Sequence, residues 1–130
     1  MRRVYHRHNE KHHANNIMPS CGKNELMTEF LQVMITAGTR AEAESIARVL
    51  VEKRLAACVQ VSGPITSVYR WQEKIEQSEE WKLTAKTSPA RFKELAAQTS
   101  ELHSCDCPEI VATAISDGSK AYFEWLAEQL

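Results

Sequence analysis

An α+β fold on an antiparallel sheet, with elements in the order β-α-β-β-α-β-α, is what this sequence predicts. Three observations carry that expectation. Three β-rich runs (Leu55 to Ser62, Ile65 to Trp71 and Glu80 to Thr87) follow one another, separated only by Gly63-Pro64 and the polar stretch Gln72 to Glu79. Turn residues between such runs signal antiparallel strands joined by hairpins. Apolar stripes at helical spacing flank the block on both sides, and a further strand-like run, Glu109 to Ser116, leads into a third stripe. Together these make the ferredoxin-like split βαβ plan with an added C-terminal helix.

Each element has its own local reason. Phe30 to Ala37 (FLQVMITA) is apolar on both faces, as an inner strand should be. Thr39-Arg40-Ala41-Glu42 is a capping-box pattern, and the helix it opens carries Ala43, Ile46, Ala47 and Leu50 on one stripe. Gly63-Pro64 is placed to split the next strand in two. Ser88-Pro89 starts a second helix with Pro at its first position and a stripe of Phe92, Leu95, Ala96, Thr99 and Leu102. Asp117-Gly118-Ser119 is a turn before a last helix with Phe123, Leu126, Ala127 and Leu130 on one face. Two helices cover one face of the sheet and leave the other open. Alternation sends Ile65, Ser67, Tyr69 and Trp71 one way and Val68 the other, so apolar groups on both sides predict burial against another subunit.

The chain divides into residues 1–27 and a domain over 28–130. The first part (MRRVYHRHNEKHHANNIMPSCGKNELM) has too few apolar residues to order itself and reads as a tail or leader, with Met18 and Met27 as alternative starts. It carries five Lys/Arg against two Glu, whereas the remainder carries eleven against fifteen Asp/Glu. An acidic domain gives no electrostatic reason to expect a nucleic-acid partner. No apolar run reaches the ~18 residues of a membrane span, and the basic N-terminus lacks the apolar core of a secretory signal. Cys21, Cys58, Cys105 and Cys107 do not form a disulfide framework, which points to a reducing, cytoplasmic compartment.

The sharpest chemical constellation is His103, Cys105 and Cys107. Two thiolates and an imidazole within five residues are soft or borderline donors suited to Cu(I), Zn(II) or Hg(II). In an extended segment both sulfurs would lie on one face. The spacing is not that of a four-ligand structural zinc site, so a complete set needs another donor, such as Asp106 or a group from a second subunit. A disulfide between i and i+2 would close a strained ring, which makes a redox role the weaker reading. Cys58, within LAACV, reads as a packed core or interface thiol. His6, His8, His12 and His13 form a tract that would take up Ni(II) or Cu(II) without a fixed site. There is no GxSxG, HExxH, P-loop or GxGxxG motif, so the chain is not expected to be an enzyme.

In chain order, ITAGTRAEAESIA, EKRLAACV, SVYRWQEKIEQSEEW, a KT strand end, LH, PEI and YFEWL make a combination that resembles the CutA divalent-cation tolerance proteins over residues 29–130. The resemblance implies a homotrimer of ferredoxin-like subunits whose long hairpins pair across subunits, and a role in tolerance to copper and other divalent cations. It also implies that Tyr69, Trp71, Lys86 and Glu109 lie near a cleft between subunits, where aromatic walls, an ammonium and a carboxylate could receive a small ligand. Where relatives have His-Pro-Tyr-x-x-Pro-Glu, this chain has His103-Ser104-Cys105-Asp106-Cys107-Pro108-Glu109. Ile35 and Leu102 stand where copper-associated relatives carry Cys and a second His, so only His103 transfers from that set.

The expectation is a cytoplasmic, metal-binding homotrimer that serves copper tolerance through His103, Cys105 and Cys107, with no organic cofactor and no membrane or nucleic-acid partner. A trimer like the PII-type signalling proteins, binding a small ligand between subunits and signalling to a protein partner, is the alternative. A structural trimer that anchors another component is the third reading.

Overall fold

The computed structural model describes residues 29–130. The expected tail over 1–27 lies outside them. Seven elements follow in the expected order: β1 (Leu31–Ala37), α1 (Arg40–Glu52), β2 (Cys58–Trp71), β3 (Lys74–Thr87), α2 (Pro89–Leu102), β4 (Ile110–Ala114) and α3 (Lys120–Gln129). The strands form one antiparallel sheet in the order β2-β3-β1-β4, the ferredoxin-like arrangement. No described helix is long and apolar enough to cross a membrane.

The core forms between the sheet and α1 and α2. Val33, Ile35 and Ala37 of β1 and Leu83 and Ala85 of β3 meet Ala43, Ile46 and Leu50 of α1 and Leu95 of α2, all buried. The period-two strands and 3.6-period helices put these residues on facing surfaces. A smaller cluster of Phe30, Ala57 and Leu126, with Ile115 and Phe123 beside it, seats α3. Thr87, fully buried, donates its hydroxyl to the carbonyl of Leu55 at 2.6 Å, so its polar group is matched where the chain leaves the sheet.

Two expectations about the hairpin are corrected. Gly63-Pro64 does not divide β2; the strand runs through it with a register shift between Ser62 and Ile65. The polar stretch from Gln72 to Glu79 is not a connector. β3 begins at Lys74, and only Gln72 and Glu73 turn the chain, with φ of 46° and 65°. Two successive positive φ values match the twist of the flanking strands, so a two-residue turn closes a tight hairpin. Lys74 to Glu79 pair with Thr66 to Trp71 in the backbone ladder, which does not depend on side-chain polarity, so their polar character did not mark them as strand.

The β2–β3 arm beyond Trp81 gains no third strand, since β1 pairs with β3 only over Trp81 to Thr87. Along it Ile65, Ser67, Tyr69 and Trp71 are half-buried while Thr66, Val68 and Arg70 are exposed, the alternation expected. Leu102, expected in the α2 stripe, is exposed instead, because the helix ends there and the chain turns away. Trp125 is also exposed, stacked on Tyr122 with ring centres 5.7 Å apart.

Candidate functional site

The site is built where the end of α2 crosses the C-terminal end of β1. The His103 N–H donates to the carbonyl of Thr99, closing α2, and the chain leaves in extended geometry. This places the His103 ring beside β1, 2% exposed. Its Nε2 lies 2.7 Å from the Thr36 carbonyl oxygen. A carbonyl only accepts, so Nε2 carries the hydrogen, and Nδ1 is left to accept the Cys105 N–H at 3.0 Å. Both ring nitrogens are therefore occupied in the neutral tautomer.

That is a different use from the metal ligand expected of His103. A cation could reach either nitrogen only by displacing Thr36 or the Cys105 amide. The imidazole instead ties the Cys105 segment to β1.

Glu42 holds the same segment next to His103. Its Oε1 accepts the Ser104 N–H at 2.7 Å and its Oε2 the Ser104 hydroxyl at 3.1 Å; Oε1 is 3.8 Å from His103 Nδ1. The capping box at the start of α1 is therefore half made: the Glu42 N–H donates to Thr39 Oγ1 at 3.2 Å, but the Glu42 carboxylate serves Ser104. Ser104 to Cys107 is bent rather than extended, which corrects the geometry assumed for the thiol pair. Even so, Cys105 and Cys107, both half-buried and in no disulfide, line one cavity.

That cavity measures about 50 Å³. Thr36, His103, Cys105, Cys107 and Glu109 contribute from the helix side; Tyr69, Glu79 and Glu80 contribute from the arm. Thr36 serves twice, its carbonyl with His103 and its hydroxyl donating to Glu109 Oε2 at 3.1 Å. Five of the seven residues expected at a site thus meet here: Tyr69, His103, Cys105, Cys107 and Glu109. Trp71 and Lys86 do not. Trp71 sits opposite Lys74 at the arm's tip, and Lys86 lies between Gln32 and Cys58 at the far end of β3.

The lining is chemically one-sided. Among the described residues it carries two cysteines, a tyrosine and three glutamates, and no Lys or Arg. The volume exceeds the ~10–15 Å³ that admits a water but falls well short of the ~300 Å³ where pockets for organic ligands begin. Among the described residues, no three His, Cys, Asp or Glu groups converge as a ready metal cage. One chain thus offers a thiol pair with acidic surroundings rather than a full set for zinc, which normally needs four ligands. Residues outside the expected set, Thr36, Glu42, Ser104 and Glu80, complete the frame. Only Glu42 had a sequence signal, as a helix-start residue.

Comparison with known proteins follows the same outline. The family model described as CutA1 divalent ion tolerance protein matches residues 31–129. A divalent-cation tolerance protein CutA of Thermus thermophilus is 42% identical over 96 residues, 74% of this chain and 93% of that protein. One of Archaeoglobus fulgidus is 40% identical over 96 residues with the same coverage. The solved Thermus thermophilus structure superposes with a TM-score of 0.76 at 40% identity, covering 77% of this chain and 97% of that one. The Archaeoglobus fulgidus structure, described as periplasmic, gives 0.74 at 38% identity over 77% and 97%.

Proposed function

The chain belongs to the CutA1 divalent-ion tolerance family, and from that membership and the thiol-lined cavity we propose that it serves cation tolerance by holding copper as Cu(I). The observation that carries this reading is that Cys105 and Cys107 share one small cavity whose other walls include, among the described residues, Glu79, Glu80 and Glu109 and no basic residue. Thiolates select Cu(I), and a monovalent d10 ion is content with two of them, so the lack of a three-donor cage is no obstacle. The carboxyl groups favour any cation and oppose an anionic ligand. His103 sets the loop that carries the sulfurs instead of entering the coordination sphere.

A homotrimer completes the proposal. Met34 of β1 and Val111 of β4 are register partners, both exposed on the sheet face away from α1 and α2. The β2–β3 arm carries exposed Val68 and Ile75, 63% and 65% accessible. Apolar surface on both features is what a second and third copy would cover. A dithiol is kept reduced in the cytoplasm, which favours that location.

The test is a competitive Cu(I) titration on the reduced full-length protein, run in parallel on the Cys105→Ser/Cys107→Ser variant. The tail is present in both, so its His residues and Cys21 cancel. One tight equivalent per chain that disappears in the variant supports the reading. Equal binding by the two proteins defeats it.

A further inference from the structure

We propose that Cys105 and Cys107 also form a capture site for a trivalent thiophilic metalloid, the two sulfurs bridging one arsenic atom delivered as arsenous acid. The proposal rests on the reading above in that both take this thiol pair as the ligating group. It adds a second ligand class with a different geometric demand.

The observations are those of the loop. Both cysteines line the same cavity of about 50 Å³. The segment Ser104 to Cys107 is bent. It is fixed on one side by Cys105 N–H to His103 Nδ1 at 3.0 Å and by Ser104 to Glu42 at 2.7 and 3.1 Å. Pro108 follows and restricts the residue before it. Two half-buried cysteines, two residues apart on a pinned bend and lining one cavity, can bring their sulfurs to one small atom. Among the described residues no third His, Cys, Asp or Glu joins them in a metal-holding group. The centre that fits must therefore bring its own third ligand. Trivalent arsenic does so: it makes three bonds, two to sulfur and one to a retained hydroxyl.

Charge and ring size point the same way. Among the described residues the lining includes Glu79, Glu80 and Glu109 and no Lys or Arg, which does not favour an anion, and arsenous acid is uncharged at neutral pH. A direct disulfide between i and i+2 closes a strained ring. Placing one atom between the sulfurs enlarges that ring, so the pair is better suited to chelation than to oxidising itself. The step is a condensation. Two As–S bonds form and two As–OH bonds break; each thiol proton leaves with a hydroxide as water, and no oxidation state changes. Once the first sulfur is attached, the second reacts intramolecularly, which raises its effective concentration.

The experiment uses the reduced full-length chain and arsenite in excess glutathione, read by intact mass and by iodoacetamide footprinting. The expected result is one arsenic per chain, held against the monothiol and released by a dithiol chelator. In the wild-type footprint Cys105 and Cys107 are protected while Cys21 and Cys58 are alkylated. Cys105→Ser or Cys107→Ser should each weaken retention about 100-fold or more, the loss expected when a second tethered contact is removed. Stripping by glutathione, protection at Cys21 or Cys58 instead, a covalent dimer bridged by arsenic, or unchanged retention in both variants would overturn the proposal. Arsenic stripped while Cu(I) binds tightly sinks this inference alone; arsenic held while Cu(I) does not bind sinks the copper reading alone.

Discussion

His103 Nε2 and the Thr36 carbonyl oxygen stand 2.7 Å apart, joining the end of α2 to the end of β1 across 67 residues of sequence. The contact fixes which ring nitrogen carries hydrogen, and so makes Nδ1 the acceptor for the Cys105 amide. One imidazole thereby sets the starting point of the thiol-bearing loop.

His103→Ala should for that reason destabilise the metal-free protein. It leaves the Thr36 carbonyl and the Cys105 N–H without their partner beside a buried ring position, at about 1–3 kcal/mol for each orphaned group. Urea denaturation at fixed protein concentration, with a chelator present, measures it. A residue acting only as a metal ligand would leave that midpoint where it was.

Glu42→Ala is expected to loosen the loop while sparing the fold. Glu42 is at the first turn of α1 and accepts twice from Ser104, so its removal frees the Ser104 amide. Hydrogen exchange should speed up over Ser104 to Cys107 and stay unchanged in β1 and β3. On the proposed copper reading, Cu(I) affinity should fall with it, since the sulfurs of Cys105 and Cys107 would then lose their fixed position. Unaltered exchange in the loop would mean that His103 holds it alone.

The contrast between these elements explains what the sequence could and could not disclose. Helix α1 was legible from Thr39, Glu42 and the Ala43, Ile46, Leu50 stripe because cap and period are local signals. The arm's tip was not. Gln72 and Glu73 adopt φ of 46° and 65° without the Gly or Asn that normally flags such a turn, and the backbone ladder beside them is blind to side-chain polarity. The donor types at His103, Cys105 and Cys107 were visible as chemistry. Which of them is already engaged depends on Thr36 and on Glu42, 62 residues before Ser104, and no local pattern carries that.

Gly63 gives a packing prediction. A Cβ there would come within 2.7 Å of the Trp81 ring, which covers the register shift in β2. Gly63→Ala must push the indole aside or bend the strand, a loss of about 1–3 kcal/mol of the kind seen on overpacking. Trp81 also lies under the Arg40 guanidinium at 5.6 Å, so its displacement should change the tryptophan emission together with the denaturation midpoint. A midpoint shift without any spectral change would place the strain elsewhere.

Tyr122 supplies the pH dependence. Its phenol is raised above the usual 10.0, first by loss of water around it and then by the Cys58 sulfur, which opposes a second negative charge and shares a hydrogen bond with it. The native state thus holds the proton longer than the unfolded chain does. Stability from this group is intact below pH 10.0 and declines as pH rises through the elevated native value. In an absorbance titration of phenolate, Tyr122→Phe should remove a step above pH 10.0. Cys58→Ala takes away two of the three causes and should bring that step to lower pH. A step that stays in place after Cys58→Ala would leave loss of water as its whole origin and break the proposed link between α3 and the start of β2.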